Sequence, residues 1–97
     1  MVIIKLQPLR EFIQLHPDAR PSLSQWIKTV EQADWGTPNE LKAVYPSASL
    51  VANDRVVFNI GGNKYRLVVL VIYGIRTVFI RFIGTHSAYD QLDVSTV

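Results

Sequence analysis

The second half of the chain alternates between apolar and polar residues, and this period of two constrains the fold more than any other feature. Three segments rich in β-branched and aromatic residues are predicted strands, at 56–60, 64–73 and 77–83. Gly61-Gly62 and Gly74-Ile75 connect them and are short enough for tight hairpins. Because loops this short join only antiparallel neighbours, the sequence predicts an antiparallel sheet.

Prolines mark the starts of helices in the first half. Pro8, Pro21 and Pro38 each suit a first helical turn, where the missing N–H costs no hydrogen bond. Apolar residues spaced three and four apart then predict one helix from about residue 8 and a second over about residues 21–33. We expect His16 at the end of the first of these helices.

A capping box predicts the third helix. Thr37 is the N-cap and Glu40 returns the bond, so a helix opens at Pro38 and ends near Val44. A short strand is expected at residues 2–6, before the first helix. Together these elements predict an α+β fold, with N-terminal helices packed on one face of a small antiparallel sheet.

Length and composition exclude several classes of protein. The 97 residues, of which 48% are hydrophobic, fit one domain over residues 1–97. The lack of cysteine excludes a disulfide scaffold and a thiol nucleophile, and two histidines are too few for a His-rich metal cluster, so we expect no metal and no cofactor. The longest apolar run, residues 67–73, is far below the roughly 20 residues of a membrane span. We therefore expect a soluble, cytoplasmic protein without a membrane partner.

A register for the two hairpins predicts a basic face on the sheet. If both loops contain two residues, Ile60 opposes Asn63 and Tyr73 opposes Arg76. Side chains alternate between the faces along each strand. One face then carries Arg55, Lys64, Arg66 and Arg81. The other, which we expect to face the core, carries Phe58, Tyr65, Leu67, Val69, Val71, Val78, Ile80 and Phe82.

Apolar residues also lie on the basic face. They are Leu70, Ile72, Phe79 and Ile83, at the end away from Gly61-Gly62. Because such residues avoid water, we expect the N-terminal region or a partner protein to cover this end.

The formal net charge of +2 hides an uneven distribution. Residues 1–54 contain five basic and six acidic side chains, whereas residues 55–97 contain five basic and two acidic ones. No acidic residue lies between Arg55 and His86. A face with several Arg and Lys and no carboxylate suits phosphate, which Arg binds with two parallel hydrogen bonds. From charge alone, an ordinary solvated sheet face is the alternative.

His86 and Tyr89 follow the last predicted strand. If a helical turn begins there, they share one of its faces. Both side chains can transfer protons, the phenol when a nearby cation favours its ionisation. Beside Arg81, Arg66 and Lys64, they meet the needs of RNA cleavage by its own 2′-hydroxyl, a route that requires a base, an acid and cations but no metal. On spacing alone, His86 could instead be a capping or packed residue.

One long stretch resembles a known family. Residues 58–67, with the sequence FNIGGNKYRL, are followed by Ile80-Arg81, Gly84-Thr85-His86 and Tyr89-Asp90, and this pattern resembles the HigB-type toxins of bacterial type II toxin-antitoxin systems. Segments 16–19 and 41–48 resemble the same family, so the likeness extends over about residues 9–90. It implies a RelE-like fold, an mRNA endonuclease acting on translating ribosomes, and a cognate antitoxin, commonly a helix-turn-helix protein.

The resemblance also implies roles for individual residues. Lys64, Arg66 and Arg81 would hold the scissile phosphate. His86 and Tyr89 would be the acid and the base, in an order that stays open, and Asp90 would either orient His86 or cap the last turn. The RNA-binding set that we expect is Arg55, Asn63, Lys64, Arg66 and Arg81.

Two other functions remain open at this point. A non-catalytic RNA-binding regulator would use the same basic face and leave its RNA intact. A gyrase-inhibiting toxin of the same fold would also leave RNA whole and would block supercoiling instead. Toxins of that kind typically lack a concentrated His and Tyr site, which counts against this alternative.

Overall fold

Four helices and five strands follow one another along the chain, in a computed structural model that describes residues 1–97. The elements are β1 (Val2–Ile4), α1 (Gln7–Leu15), α2 (Arg20–Gln32), α3 (Pro38–Val44), β2 (Ser49–Leu50), β3 (Arg55–Ile60), β4 (Tyr65–Ile72), β5 (Thr77–Thr85) and α4 (His86–Asp90). Short 3-10 turns occupy Pro17–Ala19 and Tyr73–Ile75. None of the helices has the length and apolar character needed to cross a membrane.

The helix starts follow the proline and capping signals. Each of α1, α2 and α3 has a proline in its first two positions. Thr37 caps α3, its side-chain oxygen accepting from the N–H of Glu40 at 3.3 Å. Glu40 returns two bonds, accepting from the Thr37 hydroxyl at 3.4 Å and from the N–H of Gly36 at 3.3 Å. The predicted N-cap is therefore confirmed, but the return bond goes to the N–H of Gly36 and the hydroxyl of Thr37 and not to the N–H of Thr37.

The strands form one sheet in the order β1-β5-β4-β3-β2. The pairs β2–β3, β3–β4 and β4–β5 are antiparallel, as the short loops predict. β1 instead pairs with β5 in parallel, with Ile3 opposite Val78, so the sheet is mixed. A parallel edge strand is possible here because the chain between β1 and β5 is long enough to return in the same direction.

The core lies between the helices and one face of the sheet. From the helices it contains fully buried residues such as Leu9, Leu23 and Val30. From the sheet it contains the predicted inward residues Phe58, Tyr65, Leu67, Val69, Val71, Val78 and Ile80. Trp26 of α2 packs edge-on against Phe58 of β3, with ring centroids 5.4 Å apart. The opposite face of the sheet, which carries Arg66, Val68 and Leu70 of β4, is called the outer face below.

The first hairpin has a longer loop than the one predicted. Ile60 pairs with Tyr65 and not with Asn63, which leaves four residues, 61–64, in the turn. Gly61, Gly62 and Asn63 all have positive φ angles, and two adjacent glycines allow this left-handed path. The register moves by two residues, so every strand residue keeps its predicted face. Lys64, however, leaves the strand and joins the turn.

A β-bulge in β5 corrects the prediction for two further residues. The predicted pairing holds from Ile72–Thr77 to Val69–Ile80, but Val68 then pairs with Phe82, and Arg81 is the extra residue. One added residue reverses the alternation beyond it. Phe82 therefore joins Val68 on the outer face, and Ile83 packs against the core. The sequence places these two side chains on the wrong faces because the alternation of apolar and polar residues does not reveal where a bulge lies.

The segment after α4 lies against the outer face. Arg55 donates from Nη2 to the main-chain oxygen of Val97 at 2.8 Å. The side-chain amide of Asn53 donates to the main-chain oxygen of Ser95 at 3.0 Å. Val57 and Val68 are buried on this face although they lie outside the helix-side core. The segment that reaches this face is therefore C-terminal and not the expected N-terminal region, and cover by a partner protein stays a prediction. Leu70, Ile72 and Phe79 stay half-buried.

The position of Phe82 beside Gly84 predicts that alanine substitutions at two glycines differ in their effect on stability. A Cβ at the buried Gly84 would lie 2.5 Å from Cζ of Phe82, whereas a Cβ at Gly74 would meet nothing within 4 Å. Gly84→Ala forces the Phe82 ring to move, and we expect a destabilisation of about 1–3 kcal/mol in chemical denaturation. Gly74→Ala is the matched control, expected within about 0.5 kcal/mol of the parent. Equal stabilities for the two variants would contradict this packing.

Candidate active site

The short helix α4 places His86 and Tyr89 on one turn. Thr85 caps it, its side-chain oxygen accepting from the N–H of Ala88 at 3.2 Å. The helix begins at His86, and Tyr89 lies three residues later. The helical turn that puts these two residues on one face is therefore present. His86 is exposed, Tyr89 is partly exposed, and neither makes a side-chain hydrogen bond within the protein. Asp90 is exposed and makes no bond to His86.

Two arginines lie on the outer face near this helix. Arg66 is directly opposite Gly84, two residues before His86. Arg81 projects from the bulge, with its Cζ 5.6 Å from the centroid of the Phe79 ring. At a rise of about 3.3 Å per residue, Arg81 lies about 10 Å along β5 from Gly84. Neither arginine has a carboxylate partner, since both ion pairs of the protein involve other residues.

Lys64 lies elsewhere than the sequence predicts. Its Nζ is 3.1 Å from Oδ2 of Asp18, which belongs to the 3-10 turn between α1 and α2. The hydroxyl of Tyr65, a core residue, donates to the same carboxylate at 2.8 Å. Lys64 is therefore drawn toward the helical layer, and its predicted place on the outer face is wrong. The reason is the four-residue turn, which releases Lys64 from the alternation of the strand.

The Asp18 carboxylate is stabilised in its charged form. The hydrogen bond from Tyr65 is the main reason that the pKa of Asp18 lies below its ordinary value of 3.8, and Lys64 lowers the pKa further. The same hydrogen bond raises the pKa of Tyr65, whose phenol stays protonated. His16, at the end of α1, packs beside this group, with its ring centroid 5.3 Å from that of Tyr65.

The lowered pKa of Asp18 predicts a pH-dependent contribution to stability. A carboxyl group whose pKa is lower in the folded state stabilises the fold above its unfolded pKa, and this contribution disappears as the pH falls through the folded pKa. Asp18→Asn should therefore lower the melting temperature at about pH 7 and have a much smaller effect at about pH 2. Glu31→Gln, at an exposed residue without side-chain hydrogen bonds, is the control. A deficit of Asp18→Asn that is the same at both pH values would contradict the assignment.

Arg55 and Asn63 complete the expected RNA-binding set, and both have local contacts. The guanidinium of Arg55 donates to the main-chain oxygens of Val97 and Asn53, so the segment after α4 already occupies it. Asn63 is exposed in the turn, and its carbonyl accepts a long bond of 3.4 Å from Nη1 of Arg66. Of these two residues, only Asn63 has a side chain free for RNA.

The arrangement has the chemistry of a proton-transfer site on an open surface. Arg66, His86 and Tyr89 lie toward one end of the β4–β5 pair, and Arg81 lies halfway along β5. Neither guanidinium has a carboxylate partner, and no hydrogen bonds join the four side chains to one another. Exposed groups of this kind are accessible to a large substrate such as a folded or extended polymer. No group of three or more His, Asp or Glu side chains is close enough to hold a metal ion.

Sequence reasoning missed Asp18 and Thr85. Thr85 begins a weak capping pattern, since the residue three positions later is alanine and not an acid or an amide. Asp18 follows Pro17 in a turn, which indicates a loop but not a partner. Its contact with Lys64 joins residues 46 positions apart, and no local pattern reports such a distance.

The fold defines a class of protein. Helices packed on one face of a small open sheet are the arrangement expected of a RelE-like fold. The sequence profile of one family, described as the HigB toxin, RelE-like toxic component of a toxin-antitoxin system, matches residues 19–92. The chain therefore belongs to the HigB toxin family, and membership implies an antitoxin partner.

Relatives extend the likeness over most of the chain. This chain is 30% identical over 92 residues to the mRNA interferase toxin HigB of Escherichia coli strain K12. The match covers 93% of this chain and 88% of the relative. The mRNA interferase HigB of Shigella flexneri gives the same values. A second Escherichia coli protein of that name, from strain O6:H1, is 26% identical over 94 residues, covering 95% of this chain and 91% of the relative.

Proposed function

We propose that this protein is a metal-independent endoribonuclease that cleaves mRNA on the translating ribosome. The observation that carries the proposal is a set of four side chains, two arginines of the outer face and the His and Tyr of the helix that follows β5. Arg66 and Arg81 lack carboxylate partners, and His86 and Tyr89 share the helix that follows β5. Cleavage by the 2′-hydroxyl requires two proton-transfer groups and positive charge. The relatives named as mRNA interferases support the same reaction.

The reaction involves only the RNA and the side chains of the protein. One of His86 and Tyr89 removes the proton of the 2′-hydroxyl, the 2′-oxygen bonds to the adjacent phosphorus, and the bond from phosphorus to the 5′-oxygen breaks. The other group gives a proton to the departing oxygen. Arg66 and Arg81 stabilise the negative charge that builds on the phosphoryl oxygens. The products are a 2′,3′-cyclic phosphate and a 5′-hydroxyl.

The remaining members of the predicted set have supporting roles. Lys64 binds a flanking phosphate after exchanging its ion pair with Asp18, and such an exposed pair contributes only about 0–1 kcal/mol. Asn63 contacts RNA from the tip of the turn, and Arg55 contacts it only when the segment after α4 moves away.

The partners follow from the reaction and the family. The substrate is mRNA in the decoding site, so the protein acts in the cytoplasm, and the antitoxin is a helix-turn-helix protein. The net charge is only +2, and long-range attraction to RNA is therefore weak. We infer that the ribosome supplies much of the binding by presenting the mRNA strand.

The test is cleavage of a defined mRNA on purified ribosomes. Primer extension should show protein-dependent ends within codons in the decoding site, and the upstream fragment should carry a 2′,3′-cyclic phosphate. An mRNA with a single 2′-deoxynucleotide at the cleaved position should resist cleavage there. Intact mRNA with bound protein would instead indicate a regulator, and intact mRNA with inhibited supercoiling would indicate a gyrase-directed toxin.

A further inference from the structure

The helix that carries His86 and Tyr89 has little to hold it in place by itself. α4 contains five residues, and none of them is buried. A helix this short does not persist in water without outside support, because its first turn fixes several residues for one hydrogen bond. Thr85 caps its N-terminal end. The other end continues into the segment after α4, residues 91–97, so the contacts of that segment matter for the position of Tyr89.

Hydrogen-bonded turns connect α4 to Ser95. The N–H of Leu92 donates to the carbonyl of Tyr89 at 3.0 Å. Directly after Leu92, the carboxylate of Asp93 accepts from the N–H of Ser95 at 3.2 Å and from its hydroxyl at 2.7 Å. Leu92 and Val94 are half-buried. A displacement of Ser95 is therefore transmitted to Tyr89 through a short series of turns.

Asn53 and Arg55 attach this segment to the outer face. The side-chain amide of Asn53 donates to the main-chain oxygen of Ser95 at 3.0 Å. Arg55 donates from Nη2 and Nε to the main-chain oxygen of Val97, at 2.8 and 3.3 Å. Apart from the Thr85 cap, no other side-chain hydrogen bond joins residues 86–97 to the rest of the protein. The polar attachment of the segment therefore depends on two side chains.

The attachment lies at the end of the outer face away from α4. Arg55 is opposite Leu70, whereas Thr85, which precedes α4, is opposite Tyr65. At a rise of about 3.3 Å per residue, Tyr65 and Leu70 are about 16 Å apart along β4. The segment after α4 therefore crosses the outer face, and Val68, which lies between these two points on that face, is fully buried.

The donors of Arg55 are directed to the protein itself. Its Nε and Nη2 share the oxygen of Val97, and its Nη1 donates to the carbonyl of Asn53 at 2.9 Å, so all three nitrogens are engaged. A guanidinium is planar, and two donors on one acceptor restrict where that acceptor can lie. Arg55 thus fixes the position of the segment more closely than a single hydrogen bond would.

We infer that Asn53 and Arg55 are positioning residues for the proposed reaction. They hold the segment after α4 on the outer face, and this segment fixes the orientation of α4, which carries Tyr89 and His86. Neither residue touches the reacting atoms. The inference rests on the proposed function for the reaction, but not for the attachment of α4.

Backbone order parameters from ¹⁵N relaxation of the full chain test the attachment without RNA. In the parent, the amides of Tyr89 and Leu92 should have values of about 0.85, as in rigid backbone, and they should fall below about 0.6 in Asn53→Gly and in Arg55→Gln. Glycine keeps the φ of 60° at residue 53, so this change removes the amide without straining the turn. Order parameters in β4 should stay at the parent values, and thermal unfolding checks that each variant is folded.

Two control variants match these changes. Asp54→Gly alters the neighbouring residue of the same turn, which also has a φ of 60° and makes no side-chain hydrogen bond. Arg10→Gln removes an exposed guanidinium on α1 that has no carboxylate partner. Both controls should keep the parent's order parameters in α4 and the parent's kcat.

Cleavage kinetics on ribosomes test the consequence for the reaction. Because a misplacement of about 1 Å is enough to slow a reaction greatly, kcat should fall about 10–100-fold in Asn53→Gly and Arg55→Gln, with KM within about twofold of the parent. A direct contact of Arg55 with RNA would instead raise KM. In that case Asn53→Gly, which changes no charge, would cleave like the parent.

The outcomes separate this inference from the proposed function. Order parameters in α4 that stay at the parent values in both variants overturn the inference, whatever happens to cleavage. A mobile α4 with an unchanged kcat, or a rise in KM alone, also overturns it. A mobile α4 with a reduced kcat supports it. If the parent cleaves no mRNA, the proposed function fails together with the catalytic part of the inference, and the order parameters still decide whether Asn53 and Arg55 hold α4.

Discussion

Arg81→Ala is expected to slow cleavage of ribosome-bound mRNA by about 10²–10³-fold, the usual effect of removing one group that stabilises transition-state charge. Arg81 is exposed, and its only described interaction is with the Phe79 ring, so the loss of stability should stay within about 1 kcal/mol. Expression of the variant should no longer arrest growth, although the protein remains folded. The measurements are single-turnover cleavage rates and thermal unfolding of the same preparations.

Two further variants control for charge and extend the test to proton transfer. Arg76→Ala removes a guanidinium that pairs with Asp34 near the opposite end of β5, and it should cleave mRNA at nearly the parent rate. His86→Ala should lose about 10²–10⁴-fold in rate, as expected for an acid or a base. If folded Arg81→Ala and His86→Ala proteins both cleave at the parent rate, the active-site assignment is wrong.

The largest effect on stability is expected from Leu67→Ala. Leu67 is fully buried on β4, the central strand of the sheet, and packs in the cluster beneath the helices. Truncating it removes apolar contacts and leaves a cavity, so we expect a loss of about 2–5 kcal/mol in the free energy of unfolding. For a domain of this size, that corresponds to a fall on the order of 10–30 °C in melting temperature.

The matched control is Leu15→Ala, the same substitution at a residue that is 79% exposed on α1. It should change the free energy of unfolding by no more than about 0.5 kcal/mol. In cells, Leu67→Ala and Arg81→Ala should both relieve growth arrest, but only Leu67→Ala should reduce the amount of folded protein. A Leu67→Ala protein as stable as Leu15→Ala would show that the helices do not pack tightly on this part of the sheet.

Local signals account for the parts of the fold that the sequence predicts. Thr37 and Glu40 lie three residues apart, so the α3 cap is readable without the rest of the chain. Tight connections likewise predict the antiparallel β3–β4–β5 order. The pairing of β1 with β5 could not be predicted, because it joins Val2 to Thr77 across the whole chain.

Whether a register error is an even or an odd number of residues explains which side chains were predicted on the correct face of the sheet. The first hairpin loop is two residues longer than expected, and a shift of two returns every strand residue to its face. The bulge adds one residue, and a shift of one exchanges Phe82 and Ile83. Arg66 and Arg81 thus lie on the predicted face despite an incorrect register.

The candidate site was predictable where it depends on one segment. His86 and Tyr89 are neighbours on one turn, and their spacing alone indicates a shared face. Lys64 was misplaced because its position depends on Asp18, which comes from the other half of the chain. The charge pattern could not reveal this contact, since an acid-free stretch of sequence says nothing of acids that the fold brings to it.

Residue 81 belongs to the sheet without being paired in it, since β4 offers no residue opposite the bulge. We therefore expect substitutions of its side chain to leave the ladder on either side undisturbed. If Arg81 acts in cleavage as proposed, the bulge separates the activity of this residue from the stability of the sheet, and loss of cleavage at this position would leave a folded protein.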